Sequence, residues 1–247
     1  MARIDEITDG IHRICTTLDA GGRPFQFNQF LIVDERPALI HTGMHGMYED
    51  VRAAVAEVVD PGKLAYVILL HFESDECGGM YRFLEGAPHS VLACSALSNI
   101  LNLSGWNFAG RVEGHLDGEV IDLGRHKLRF LETPHVHHWD SMMLFDETTR
   151  SLFPSDLFIQ AGDQPPVVTE NLGPEMCGFY RDVGIFAHEE PVRRVVDRVE
   201  SLDPAWVHGM HGGSLPREAF PYFTRALREE RFAYEGKLLG RPLEQPA

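Results

Sequence analysis

Cysteine is sparse in this chain and carries no pattern. The four residues, Cys15, Cys77, Cys94 and Cys177, are scattered without a CxxC spacing, which reads as a reduced, cytoplasmic protein, with Cys77 and Cys177 expected as small buried hydrophobes rather than redox-active thiols. Long apolar runs are also missing: none approaches the roughly 20 residues of a membrane helix. Residues 1–10 are polar, with Asp5, Glu6 and Asp9, so no secretory signal is expected. Basic charge is short, with 22 Lys and Arg against 37 Asp and Glu, and the net charge of −15 argues against nucleic acid and anionic membranes as partners. Repeats, low-complexity tracts and linkers are absent, so a single domain over residues 1–247 is expected.

What is present is an ordinary globular composition, 44% hydrophobic and 24% charged, with 13 histidines. Residues 10–15 alternate apolar with polar like a half-buried strand, and residues 28–33 and 38–40 read as a hairpin around Asp34-Glu35-Arg36-Pro37. A helix is expected over about 48–59, with Val51, Val55 and Val58 on one face and Pro61-Gly62 ending it. Residues 64–70 form a continuous apolar run, as in a buried strand, and Gly78-Gly79 opens a short helix through Leu84. Further strands fit 119–123, 127–131, 142–145, 151–153 and 205–207; residues 161–177 look like a loop. One helix is expected over about 190–201, and a last one from Pro216, as a first-turn proline, to about Tyr234.

Directly after the apolar run stands His71-Phe72-Glu73-Ser74-Asp75-Glu76. An imidazole and two carboxylates at alternate positions suit a loop wrapped around a cation; on a surface helix they would be only a solvated polar face. Three other strand ends carry metal-capable side chains: His135-Val136-His137-His138, Asp156 and His211. Strand carboxyl ends are where α/β sheets place their sites. His71, Glu73, Asp75, one of the 135–138 histidines, Asp156 and His211 make three imidazoles and three carboxylates. Six ligands exceed one tetrahedral zinc site and suit two metals about 3.5–4 Å apart with one bridging carboxylate. The oxygen content favours iron or manganese without excluding zinc.

These residues resemble the metallo-β-lactamase fold superfamily, and within it the diiron branch of flavodiiron and oxygen-binding diiron proteins. That branch carries HxExD in place of the hydrolases' HxHxD, as His71-x-Glu73-x-Asp75 does here. Asp140-Ser141-Met142 is similar to the end of the branch's HWPDSM segment; aligned without a gap, the ligand histidine falls on His137 and His138 takes the Trp position. Asp156 matches the bridging aspartate, and His211-Gly212 the last His-Gly pair. Two positions depart: Glu76 replaces the last histidine of HxExDH, as a seventh ligand or a hydrogen-bonding neighbour, and His41 replaces the usual Asp-Thr-Gly aspartate.

The resemblance implies an α/β, four-layer αββα sandwich and metal ligands His71, Glu73, Asp75, His137, Asp156 and His211. It implies two metal ions, iron before zinc or manganese, and O2 or NO as the small molecule bound or reduced. With 247 residues there is no room for the flavodoxin domain, so no intrinsic FMN is expected and electrons come from a separate redox partner. Homodimerisation would follow the superfamily. Two other readings remain open: a dinuclear zinc hydrolase of an ester, thioester or lactone, and an O2-sensing binding module without turnover. His135, His208, Trp139, Phe72 and Phe179-Tyr180 are expected around the pocket, and Arg193, Arg194 and Arg198 on a solvated helix face.

Overall fold

The computed structural model describes residues 1–242. Seven strands form the first sheet in chain order: β1 (Arg3–Thr8), β2 (Ile11–Asp19), β3 (Pro24–Ile32), β4 (Ala38–Ile40), β5 (Tyr66–Ile68), β6 (Val91–Ser95) and β7 (Val112–His115). Its first half pairs antiparallel and β4 to β7 pair parallel. The second sheet holds β8 (Val120–Asp122), β9 (Lys127–Glu132), β10 (Met142–Asp146), β11 (Ser151–Phe153), β12 (Trp206–Val207) and β13 (Leu215–Pro216), in the order β13-β12-β11-β10-β9-β8.

Strand periodicity sorts the core into three slabs, because successive side chains leave a strand on opposite faces. Phe30, Ile32, Ala38, Ile40, Ile68, Leu70, Phe130, Met142, Leu144 and Phe153 pack between the sheets. Their neighbours Leu31, Leu39, Val67 and Leu69 face outward onto the helices Tyr48–Ala56 and Met80–Gly86. On the other side Met143, Phe145, Leu152 and Val207 meet the helices Gly173–Val183, Glu189–Ser201 and Phe220–Glu229. Helix, sheet, sheet, helix is the αββα order, and strands buried on both faces explain the unbroken apolar run at 64–70. Val192, Val195, Val196 and Val199 form the buried stripe of Glu189–Ser201, at the spacing a helix needs.

Several boundaries differ from the sequence expectation. Pro216 lies in β13, paired with Trp206, and the last helix starts at Phe220 with Pro221 in its first turn. The stretch expected to loop through residue 177 turns helical at Gly173. Arg193 is not a free surface cation: it donates to the Leu227 and Glu230 carbonyls at the end of Phe220–Glu229. Arg198 reaches Asp117 and the Glu132 carbonyl, and Arg194 pairs with Glu190. No described helix is long and apolar enough to cross a membrane.

Candidate metal centre

All six side chains expected to bind metal come together where loops leave β5, β9, β11 and β12. His71, Glu73, His137 and Asp156 each offer a ligand atom within 4.8 Å of one another; Asp75, Glu76 and His211 form a second such group. Asp156 joins the two. Its Oδ2 lies 3.2 Å from His71 Nε2 and 2.9 Å from His137 Nε2, while its Oδ1 lies 3.3 Å from His211 Nε2. Glu73 Oε2 is 3.3 Å from His137 Nε2, and Asp75 Oδ2 is 3.6 Å from His211 Nε2.

The loops are held by contacts that cross the sheets. His71 Nδ1 lies 2.8 Å from Ser155 Oγ. His211 Nδ1 lies 2.7 Å from the Gln26 carbonyl, which can only accept, so Nδ1 carries the hydrogen and Nε2 turns a lone pair inward. Asn28 donates to the carbonyls of Gly209 and Gly212, and the buried Arg13 donates twice to Gly212. Tyr180 accepts from the Ile159 amide and donates to the Asp156 carbonyl. Phe25 packs 4.6 Å from the His211 ring and stacks on Phe179. Sequence reasoning missed Arg13, Gln26, Asn28 and Ser155. Arg13 in particular stands in an alternating strand where a charged residue reads as outward-facing, and only the fold turns it in.

Three other expectations resolve here. His137 enters the cluster, while His138 is more exposed and reaches Glu73 only at 3.8 Å. His208 forms no hydrogen bond with the candidate ligands: both ring nitrogens contact hydroxyls, Ser214 at 2.9 Å and Ser151 at 3.1 Å, inside the core. His41 sits buried behind His71, its Nδ1 against the Met210 sulfur at 3.1 Å and its Nε2 accepting from the Leu70 amide. Burial pushes both His41 and His208 down to about 3, so both are neutral.

The cluster is a strong attractor for cations. Burial opposes charge on His71, yet Glu76 and Asp156 outweigh it and hold the imidazole well above its ordinary pKa. Burial likewise opposes charge on His137, and hydrogen bonds to Asp156 and Glu73 raise it to about 8. Asp156 goes the other way: burial alone would raise it, and His71, His137 and His211 hold it well below the carboxylate range. In the metal-free chain protons occupy histidines that a metal would require deprotonated, so metal binding must release them. The residues fit a metal pair, since His71 Nε2, Asp156 Oδ1 and both Glu76 oxygens are buried without a hydrogen-bond partner. Beside His137 a cavity of about 490 Å3 opens outward, lined by His135, Ile185, Ala187, His188 and Tyr234 among others.

Residues 25–212 match the family described as ODP family beta lactamase. The chain belongs to this family. Among relatives of this ODP-family chain, the nitric oxide reductase of Moorella thermoacetica is 29% identical over 142 residues, covering 54% of this chain and 34% of the relative. The rubredoxin-oxygen oxidoreductase of Megalodesulfovibrio gigas is 26% identical over 182 residues, 66% of this chain and 45% of the relative. The ODP-family chain therefore spans less than half the length of either curated relative. The solved rubredoxin oxygen:oxidoreductase of Desulfovibrio gigas superposes with a TM-score of 0.82 at 20% identity, covering 92% of this chain and 61% of that one. That likeness establishes the metallo-β-lactamase-type sandwich.

Proposed function

We propose that this chain is a dinuclear non-haem iron protein that binds or reduces O2 or NO with electrons from a separate redox partner. The observation that carries the reading is Asp156, whose two carboxylate oxygens divide between two groups of ligand atoms. His71, Glu73 and His137 would hold one ion, Asp75 and His211 the other, with Asp156 between them. A pair of ferrous ions there would supply two electrons and open coordination positions for a diatomic ligand.

The chain's own residues do the rest. Ser155 and Gln26 set the ring orientation of His71 and His211 so that both Nε2 atoms face the centre. Glu73, in place of the second histidine of the hydrolases' first loop, adds hard oxygen to the donor set, which suits iron better than a hydrolase's histidine-rich site. The cavity beside His137 has largely apolar walls in Ile185, Ala187 and Leu238, a surface that a small uncharged gas can cross without desolvation cost. The names of the two relatives, a nitric oxide reductase and an oxygen oxidoreductase, support the same choice of substrate. Reduction of two NO to N2O and water consumes two electrons and two protons, which matches a two-electron centre. Reduction of O2 to water consumes four electrons, so the redox partner must deliver two more.

Protein reconstituted anaerobically with Fe(II) should develop a new visible charge-transfer absorption on exposure to O2 or NO. Absence of that band, together with ester hydrolysis by a zinc-loaded form that His71→Ala abolishes, would replace this reading with a hydrolytic one. Oxygen uptake that stops at one equivalent, even with a reductant present, identifies a binding module without turnover.

A further inference from the structure

Resting on the dinuclear reading above, we propose that Glu76 is a seventh ligand, and that it makes one metal position oxygen-rich and selective for Fe(II) or Mn(II) over Zn(II). Glu76 is 0% exposed, and neither of its carboxylate oxygens has a hydrogen-bond partner. It offers a ligand atom within 4.8 Å of those of Asp75 and His211, and its Oε2 lies 3.5 Å from His71 Nε2. Its backbone is fixed from a neighbouring loop: the Glu76 carbonyl accepts from both the amide and the hydroxyl of Thr42, each at 2.7 Å. The side chain is thus held in the cluster by the fold.

A carboxylate taken fully out of water without a donor costs several kcal/mol, so something must compensate it. Among the described residues no lysine or arginine forms an ion pair with Glu73, Asp75, Glu76 or Asp156; their ionic contacts are all to histidines. A cation answers the need, and the arithmetic of charge agrees. Four carboxylates carry four negative charges, which two divalent ions balance with the three imidazoles neutral.

The donor set then differs between the two positions. One offers His71, His137, Glu73 and a shared Asp156, two nitrogens among four ligands; the other offers Asp75, Glu76, His211 and the shared Asp156, a single nitrogen. Nitrogen and sulfur donors favour zinc, whereas carboxylates suit manganese and other hard ions, so ligand type must counter zinc's generally higher affinity. Histidine at residue 76, as in the HxExDH pattern, would equalise the two positions.

The test uses the full chain, stripped of metal and titrated anaerobically with Fe(II), Mn(II) or Zn(II) against a competing chelator. Wild-type protein should bind two ions. Glu76→Gln should keep one and bind the second at least about tenfold more weakly, while its metal-free Tm is no lower than that of wild type. Glu76→His should recover the second ion and shift the Zn(II)-to-Mn(II) affinity ratio toward zinc by about tenfold or more. Two ions bound at wild-type affinity in Glu76→Gln, or an unchanged ratio in Glu76→His, would overturn the proposal. So would a lower metal-free Tm in Glu76→Gln with an unchanged metal-induced rise, since that marks a purely structural residue. Fewer than two ions in wild type would sink the dinuclear reading itself, which separates the two failures.

Discussion

His208 and His211 stand three residues apart, and burial uses them in opposite ways. His208 meets only the Ser151 and Ser214 hydroxyls and is driven neutral, to about 3, whereas His211 gains Asp156 and Asp75 and is raised. As letters in His208-Gly209-Met210-His211 the two are alike, which is why sequence placed both near the pocket; the carboxylate that distinguishes them lies some 50 residues earlier at Asp156. The His208 shift carries a sign. Its folded pKa lies below the unfolded value, so between about 6.5 and 3 the unfolded chain binds one more proton and stability falls as pH drops. Relative to wild type, His208→Gln should remove up to about 1.4 kcal/mol per pH unit of that fall, read from denaturant unfolding between pH 6 and 4. Ser155 makes a different prediction. It holds His71 Nδ1 and sits at φ 54, a left-handed conformation. Ser155→Ala should weaken metal binding about 10- to 100-fold, measured by chelator competition, with little change in the far-UV spectrum.

At the scale of elements, the loop after β12 is the most constrained. Gly212 has φ 96, and a Cβ there would lie 2.6 Å from Gln160 Cβ, while its carbonyl takes hydrogen bonds from Arg13 and Asn28. Gly212→Ala should therefore cost at least about 1–3 kcal/mol, seen as a lower Tm even without metal, and should also reduce metal capacity by displacing His211. Tyr180, on the helix Gly173–Val183, supports the loop after β11: Tyr180→Phe removes the acceptor of the buried Ile159 amide at a cost of about 1–3 kcal/mol; a Tm unchanged by that variant would refute the role given to the hydroxyl. Elements with strong periodicity were legible in the sequence: β10, β11 and Glu189–Ser201 lie within a residue or so of expectation. The last helix was misplaced because Pro216 and Pro221 are both acceptable helix starts. What decides is the pairing of Leu215 with Val207, which no local signal announces. β1, β6 and β7 were missed, although Asp9-Gly10 between β1 and β2 is a two-residue hairpin signal that could have revealed β1.

Across the whole molecule, the layer order and the family were readable because six candidate ligands occur in one order over about 140 residues. The cross-sheet supports were not readable, since Arg13, Gln26 and Asn28 lie nearly 200 residues from the loop they hold. Metal should stabilise the whole chain by mass action: at a free concentration 100 times the Kd the gain is about 2.7 kcal/mol. A chelator should lower Tm correspondingly, and re-addition of Fe(II) should restore it; a Tm indifferent to both would contradict a buried centre.

The division of the ligands between the sheets also sets an order in time. His71, Glu73, Asp75 and Glu76 belong to the half of the chain synthesised first, and His137, Asp156 and His211 to the half synthesised later. A nascent chain that has emerged only through the first sheet presents, of the candidate ligands, three carboxylates and one imidazole, with no Asp156 to join two groups. On the proposed dinuclear reading, a two-ion centre would be complete only once residue 211 has left the ribosome and the second sheet has docked. Completion of the proposed centre would then be a late event of biogenesis, one that reports that both halves have arrived in place.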